Sequence, residues 1–162
     1  MVEADIQFIA IDHCPPWATP EVTEKRWRQY LNEQTEGIRY VAVIEDMGTV
    51  IGYGSLWLKS EYPHFANIPE IADVWIYNGY RAKGYGTKLL QYLEQIAKAK
   101  GFKEIGIGVG LYADYGPAQR LYYTLGYKPD GNGVTYKLQQ AVAGESYPLD
   151  DDFILWFKKS LT

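Results

Sequence analysis

Apolar and polar positions along the chain follow two rhythms, one of period two and one near 3.6. From Asp5 to Asp12 the residues Ile6, Phe8 and Ala10 alternate with others, which predicts a first strand. Thr19 is a good N-cap and Pro20 a good first helical residue, with Glu21 and Glu24 near the positive helix end. A helix is therefore predicted to about Gln34, burying Trp27, Tyr30 and Leu31, with Gly37 just beyond. Ile38–Glu45 and Thr49–Leu58 read as strands joined by Asp46-Met47-Gly48, hence a hairpin. Gly52 and Gly54 in its second strand predict a bulge or a close backbone approach. Lys59–Pro69 is a polar loop, and Glu70–Tyr77 is the next strand, with Ala72, Val74 and Ile76 on one face.

Asn78–Gly86 is a turn holding three glycines. A helix over Tyr85–Lys100 follows, its stripe formed by Leu89, Leu90, Leu93, Ile96 and Ala97, and Gly101 stops it. Lys103–Gly110 is a strand, and Gly116-Pro117 starts a compact helix ending at Leu125. Val134–Leu138 and Phe153–Lys159 form a last strand pair around a polar arm, Gln139–Asp152. The order β-α-β-β-β-α-β-α-β-β predicts an α/β or α+β fold built on a mixed sheet with helices on its faces.

Composition narrows the class. The 162 residues predict one domain spanning 1–162, large enough for a core without metal or disulfide support. With 47% hydrophobic, 15% aromatic and 22% charged residues, global disorder is excluded. A net charge of −4 argues against a general nucleic-acid binder. Cys14 is the lone cysteine, so no intrachain disulfide forms and a reducing compartment is expected. No apolar run reaches a membrane-spanning length, and the acidic start lacks a signal pattern. The expectation is a cytoplasmic protein that contacts no membrane. His13, His64 and Cys14 offer no metal-ligand spacing, so no metal is expected.

The most specific local signal is Arg81-Ala82-Lys83-Gly84-Tyr85-Gly86, placed between a strand and an amphipathic helix. Glycines let backbone amides approach a ligand, and the helix start presents unpaired N–H groups and a positive dipole end. Such a turn is an anion site suited to phosphate, with Arg81 and Lys83 adding charge. Residues 81–103 hold six basic side chains against Glu94 alone, inside an otherwise acidic chain. The spacing lacks both the G-x-G-x-x-G of a dinucleotide site and the G-K-[ST] of a P-loop.

Arg81–Gly86 resembles the R/Q-x-x-G-x-G/A pyrophosphate motif of the GCN5-related N-acetyltransferases, the GNAT superfamily. Ala118-Gln119-Arg120-Leu121-Tyr122, followed by Gly126-Tyr127, resembles that family's second landmark, A-x-x-L-Y-x-x-x-G-[FY]. The two are correctly ordered, with a strand and a helix between them. The resemblance covers nearly the whole chain and implies a mixed, mostly antiparallel sheet of about seven strands with helices on both faces. It implies acetyl-CoA, or a close acyl-CoA, as donor and an amine as acceptor. Its pyrophosphate would rest on amides from Arg81, Ala82, Lys83, Gly84, Tyr85, Gly86 and Thr87, and its pantetheine arm would pair with backbone near Ile76 and Tyr77. One departure stands out: the family often has Asn where Tyr115 stands here, after Asp114.

Acyl transfer to an amine needs a deprotonated amine, a polarised carbonyl and a protonated leaving thiolate. Tyr122 matches the motif tyrosine, which the resemblance places near the sulfur, and a tyrosine protonated at neutral pH can serve as the acid. Glu70, eleven residues ahead of Arg81, resembles the glutamate at that offset in the histone-acetylating branch and is the candidate base; Asp73 is second. A backbone N–H near Ile76 would polarise the carbonyl. Cys14 beside His13 has no third orienting group, so direct transfer in a ternary complex is favoured over a covalent intermediate.

Trp17, Trp27, Tyr30, Trp57, Tyr62, Phe65, Tyr147 and Asp150–Asp152 supply aromatics and acids suited to a cationic acceptor, and equally to core and a solvated turn. A small amine, an aminoglycoside-like polyamine and a protein lysine or N-terminus all stay open. A homodimer fits the family habit. The rival classes are a GNAT-like domain that senses acyl-CoA without catalysis and a phosphate-binding domain that imitates the turn.

Overall fold

The computed structural model describes residues 1–162 except His13, Pro16 and Trp17. Its elements are α1 (Glu3–Ile6, continuing as a π-helical stretch, Gln7–Asp12), α2 (Pro20–Thr35), β1 (Arg39–Asp46), β2 (Thr49–Trp57), β3 (Glu70–Ile76), α3 (Tyr85–Ala99), β4 (Glu104–Gly110), α4 (Gly116–Thr124), β5 (Lys128–Tyr136), β6 (Gln139–Gln140) and β7 (Phe153–Ser160). The seven strands form a sheet ordered β1-β2-β3-β4-β7-β5-β6. Pairing is antiparallel for β1–β2, β4–β7, β5–β7 and β5–β6, and parallel for β3–β4. The expected mixed, mostly antiparallel sheet of seven strands is therefore present.

The chain packs as two compact units, residues 1–57 with 73–93 and residues 58–72 with 94–162. In the first, Ile6, Ile9, Ala10, Trp27, Val41, Val50 and Tyr53 are buried together. Trp27 of α2 meets Tyr53 edge-on at 4.6 Å between ring centroids. The neighbouring Gly54 faces the other way: a Cβ there would touch Leu89 and Leu93 of α3. Successive strand residues point to opposite faces, so β2 carries α2 on one face and α3 on the other. Helices on both faces, as expected, follow from that pair of contacts. Thr19 caps α2 by accepting from Val22 N at 3.4 Å.

Both expectations for the β2 glycines are met. The β1–β2 register shifts between Ile44↔Gly52 and Glu45↔Val50, which is a bulge at Ile51. A Cβ on Gly52 would lie 2.6 Å from Trp75 O, so only glycine admits this approach of β3.

In the second unit, Tyr62, Phe65 and Trp156 are buried together, with Tyr62 stacked on Trp156 at 4.1 Å. A Cβ on Gly106 of β4 would collide with the Phe65 ring. Tyr62 donates to Asp130 at 2.7 Å, and Trp156 Nε1 to Thr135 Oγ1 at 2.8 Å.

The first predicted strand is corrected: Glu3–Asp12 is helical. The side chains it buries are Ile6, Ile9 and Ala10, at the i, i+3, i+4 spacing of one helix face. Reading Ile6, Phe8 and Ala10 as an alternation passed over Ile9, the most deeply placed of the set together with Ala10. The strand count stays at seven because β6 arises inside the arm that was expected to be irregular, through pairs Thr135↔Gln140 and Tyr136↔Gln139. β5 also begins at Lys128, six residues before the predicted Val134, because its glycine-rich start still pairs through Lys128↔Lys158 and Pro129↔Phe157 before the register shifts.

Candidate active site

The phosphate turn sits where β3 passes through a single 3-10 turn, Asn78–Tyr80, into α3. Ala82 and Gly84 both take positive φ, +58° and +83°. That conformation is cheap for Gly84 and strained for Ala82. A Cβ on Gly84 would meet nothing within 4 Å, so the space above the turn is open. The backbone of α3 closes first through Lys88 N to Gly84 O at 3.1 Å. The amides of residues 85–87 precede that bond and have no partner within the helix. The turn is open above Gly84 and leads into the positive end of a 15-residue helix.

The two cations of the motif are held by their own loop. Arg81 Nε donates to Ile76 O at 2.8 Å, and its guanidinium lies over Trp75 at 4.5 Å. Lys83 Nζ donates to Gly79 O at 3.0 Å and lies over Tyr80 at 5.5 Å. Arg81 and Lys83 are both exposed. Tyr77 N donates to Ile51 O at 3.0 Å, which ties the end of β3 to β2. The Tyr85 hydroxyl faces Asp46 Oδ2 at 3.5 Å and is raised above its usual range, first by burial and then by that carboxylate.

The same strand carries Asp73, which also takes a positive φ, +54°. Alternation of facing does not carry through such a residue. Its carboxylate lies 3.3 Å from Ser55 Oγ, which donates to it, and 3.8 Å from Arg39.

In the second unit, Tyr122 lies on α4, preceded by Pro117 in the first turn and followed by the helix stop at Gly126, φ +90°. It is buried, 7% exposed, while the adjacent Tyr123 is 73% exposed. Burial alone pushes the Tyr122 hydroxyl well above the usual tyrosine range, so it holds its proton throughout neutral pH. Tyr127 packs beside it at 6.1 Å and donates to Glu94 at 2.9 Å; Glu94 in turn pairs with Lys159 at 2.7 Å. Gln119 of the same motif donates to Gly110 O at 2.8 Å, fixing α4 on the end of β4.

Glu70 opens β3 opposite Gly106 and accepts from Ser60 Oγ. Tyr115, at the position where the family often has Asn, donates to Asp151 at 2.9 Å, and Tyr112 donates to the same carboxylate. Burial, then this carboxylate, raise the Tyr115 hydroxyl. The sequence names Tyr115 and Asp151 separately but does not pair them, because the 36 residues separating them carry no pattern that joins them.

The expected acceptor aromatics divide. Trp27, Tyr62 and Phe65 are core residues. Tyr30 and Trp57 cover the Arg39 guanidinium at 4.0 and 4.7 Å, and Tyr147 stacks on Phe153 at 5.9 Å. Asp150 accepts from Tyr136 at 3.3 Å, and Asp152 N donates to Asp150 at 3.0 Å. Trp17 and His13 lie outside the described residues. Cys14 Sγ lies 3.4 Å from both Ala18 O and Thr23 Oγ1. Among the described residues no group of three or more His, Cys, Asp or Glu could hold a metal ion, and no helix is long and apolar enough to cross a membrane.

Known proteins share both the pattern and the fold. The uncharacterized N-acetyltransferase YycN of Bacillus subtilis (strain 168) is 32% identical over 85 residues, 52% of this chain and 53% of that protein. The match thus spans about half the length of that relative. A crystal structure of a GNAT-family acetyltransferase from Desulfovibrio desulfuricans superposes with a TM-score of 0.70 at 12% identity, covering 99% of this chain and 93% of that one. The structure of yncA from Salmonella typhimurium, with its cofactor acetyl-CoA, gives 0.63 at 23% identity, covering 86% and 74%. At such identities the likeness is one of fold. The sequence profile of the acetyltransferase (GNAT) family matches residues 6–127, a span holding α2, the phosphate turn and both landmarks, and the chain belongs to that family.

Proposed function

We propose that the protein is an N-acetyltransferase that moves an acetyl group from acetyl-CoA to a primary amine by direct transfer within a ternary complex. The observation that carries the reading is the turn at 81–87: an open Gly84 at φ +83°, leading into unpaired first-turn amides. Those amides bind the donor's pyrophosphate, with Arg81 and Lys83 at hand on the same loop. Backbone at Ile76 and Tyr77 pairs with the pantetheine arm, and a backbone N–H near Ile76 polarises the thioester carbonyl. The donor supplies the activated acyl group.

The chain supplies the proton movements. Glu70 takes a proton from the acceptor ammonium, directly or through water. As the new C–N bond forms and the C–S bond breaks, Tyr122 gives its proton to the departing sulfur, and the second proton that the nitrogen sheds on becoming an amide passes through water to restore Tyr122. Tyr122 keeps its proton at neutral pH, as a donor must until the bond breaks. The acceptor is a small amine, an aminoglycoside-like polyamine, or a protein lysine or N-terminus.

The test is ligand binding by thermal shift and calorimetry with acetyl-CoA, CoA, ATP and NADH, on the wild type and on Gly84→Trp. A ligand specific to the folded state stabilises it by about 2.7 kcal/mol at a hundredfold excess over Kd. Acetyl-CoA and CoA are expected to shift the wild type, ATP and NADH not, and Gly84→Trp to lose the shift because its side chain fills the open space. Equal shifts with ATP would mark a general phosphate turn. Binding of acetyl-CoA with no amine acetylated would mark a sensor.

A further inference from the structure

Ser60 lies near the start of the connection from β2 to β3, and Glu70, ten residues on, opens β3. Both are half-buried. The chain between them is anchored. Tyr62 and Phe65 are buried, Tyr62 stacks on Trp156 at 4.1 Å, and its hydroxyl donates to Asp130 at 2.7 Å. Phe65 N donates to Tyr62 O at 2.8 Å, and the Phe65 ring fills the Cβ position of Gly106. Gly106 N donates to Pro69 O at 2.9 Å, and Glu70 pairs with Gly106 in register. Backbone at both ends is thereby held, and the direction of the Glu70 carboxylate is set by its hydrogen bonds.

The Ser60 hydroxyl is used twice. It accepts from Tyr62 N at 3.1 Å and donates to Glu70 Oε2 at 2.5 Å. A hydroxyl has one proton and two lone pairs. The amide of the buried Tyr62 needs an acceptor, and a serine two residues back supplies one, the ordinary use of serine in a turn. That use takes a lone pair and leaves the proton to face water. Here the proton is directed at Glu70 instead. Donation to a carboxylate favours its ionised form and holds the accepting oxygen in one place. Closing the turn does not account for this second bond.

We propose that Ser60 is the positioning residue of the base: its hydroxyl, oriented by the Tyr62 amide, holds the Glu70 carboxylate aimed to take a proton from the acceptor. The inference rests on the reading of Glu70 as the base, and it names the group through which the β2–β3 connection serves turnover. Ser60 acts through Glu70 and exchanges no proton with either substrate. The proton that Glu70 takes from the ammonium leaves to water, and the Ser60 hydroxyl keeps its own throughout.

The experiment separates aiming the base from closing the turn. Acetyl transfer to kanamycin, to spermidine and to a peptide with a lysine and a free N-terminus is followed by thiol release, with acetyl-CoA affinity measured by calorimetry. The proteins are the wild type, Ser60→Ala, Ser60→Thr, Ser60→Asp, Glu70→Gln and the double variant Ser60→Ala with Glu70→Gln. Glu70→Gln is expected to lower kcat by about 10²- to 10⁴-fold. Ser60→Ala is expected to lower kcat by about 10- to 100-fold, with acetyl-CoA affinity unchanged. Ser60→Thr keeps the hydroxyl and is expected to restore kcat to within a few-fold of wild type. Ser60→Asp keeps an acceptor for Tyr62 N, and hence the turn, but has no proton to donate at neutral pH; it is expected to lose kcat as Ser60→Ala does. In the Glu70→Gln background, Ser60→Ala is expected to cost nothing further, because a residue that acts through another loses its effect with it. An active Ser60→Asp beside an impaired Ser60→Ala, an equal fall in both backgrounds, a Ser60→Thr no better than Ser60→Ala, or a Ser60→Ala with wild-type kcat overturns the inference and leaves Glu70 as the base. A Glu70→Gln with wild-type kcat overturns the reading of Glu70 as base, and the inference with it. If acetyl-CoA binds and the wild type acetylates none of the three probes, it is the transferase reading that fails, and the inference falls with that reading.

Discussion

As the proposed acid, Tyr122 is useful only while it keeps its proton, and burial favours that. Burial disfavours the phenolate and raises the hydroxyl above the usual value near 10. The sign matters for the pH profile. A raised acid stays protonated to higher pH, so Tyr122 contributes no alkaline loss of kcat below about pH 10. The acid limb belongs to the base. Tyr122→Phe keeps the ring and removes the proton, and is expected to lower kcat by about 10²- to 10⁴-fold with acetyl-CoA affinity within a few-fold. Steady-state kinetics with parallel calorimetry checks this. A kcat within threefold of wild type would remove Tyr122 from the chemistry and leave it a packing residue. The sequence separates Tyr122 from Tyr123 by the motif, and in the structure the first is buried and the second exposed. It could not show Arg39 at the centre of a network, since Glu33, Ser55 and Asp73 meet it from three different elements.

At the scale of elements, what was legible depended on how strongly a segment's pattern excluded others. The β1–β2 hairpin was placed to within a residue or so at each end because Asp46-Met47-Gly48 forces a turn between two apolar runs; Met47 and Gly48 both take positive φ. α3 was equally clear, with a five-residue apolar stripe and a glycine stop at φ +89°. The N-terminal segment failed because five apolar residues in six satisfy either period, and only packing against Trp27 and Tyr53 decides. β6 failed because two glutamines carry no strand signal of their own; pairing with Thr135 and Tyr136 makes the strand. β4 shows a further kind of information. Its glycines read as weak strand formers, yet Gly106 is required by the Phe65 ring that fills its Cβ position. Gly106→Ala is expected to destabilise the fold by about 1–3 kcal/mol, through forced movement of a buried ring. Urea unfolding measures it, and a loss under about 0.5 kcal/mol, the size of a surface substitution, would mean that Phe65 yields freely.

At the scale of the whole molecule, the 15 tyrosines turn a local effect into a global one. In the unit of residues 1–57 and 73–93, burial raises Tyr30 and Tyr53 and pushes Tyr77 up to about 12. In the other unit, burial raises Tyr115, Tyr122 and Tyr127, the last also through the Glu94 carboxylate. In the unfolded chain each would ionise near pH 10. Between that value and the folded one, the unfolded state carries fewer protons, so stability falls as pH rises. The contribution is fully present below pH 10 and is lost above it. For the well-buried Tyr122 and Tyr127 the loss approaches about 1.4 kcal/mol per pH unit each. Thermal melts are therefore expected to give a Tm nearly constant from pH 7 to about 9.5 and falling steeply from about pH 10. Tyr122→Phe should make the alkaline fall shallower, because it removes one of these protons while keeping the ring. This separates its electrostatic role in the fold from its chemical role in turnover: the same substitution that slows acetyl transfer should make the protein more resistant to alkali. A Tm that holds flat to pH 11 in the wild type would mean that the hydroxyls reach water in the folded state and ionise there as they do in the unfolded chain.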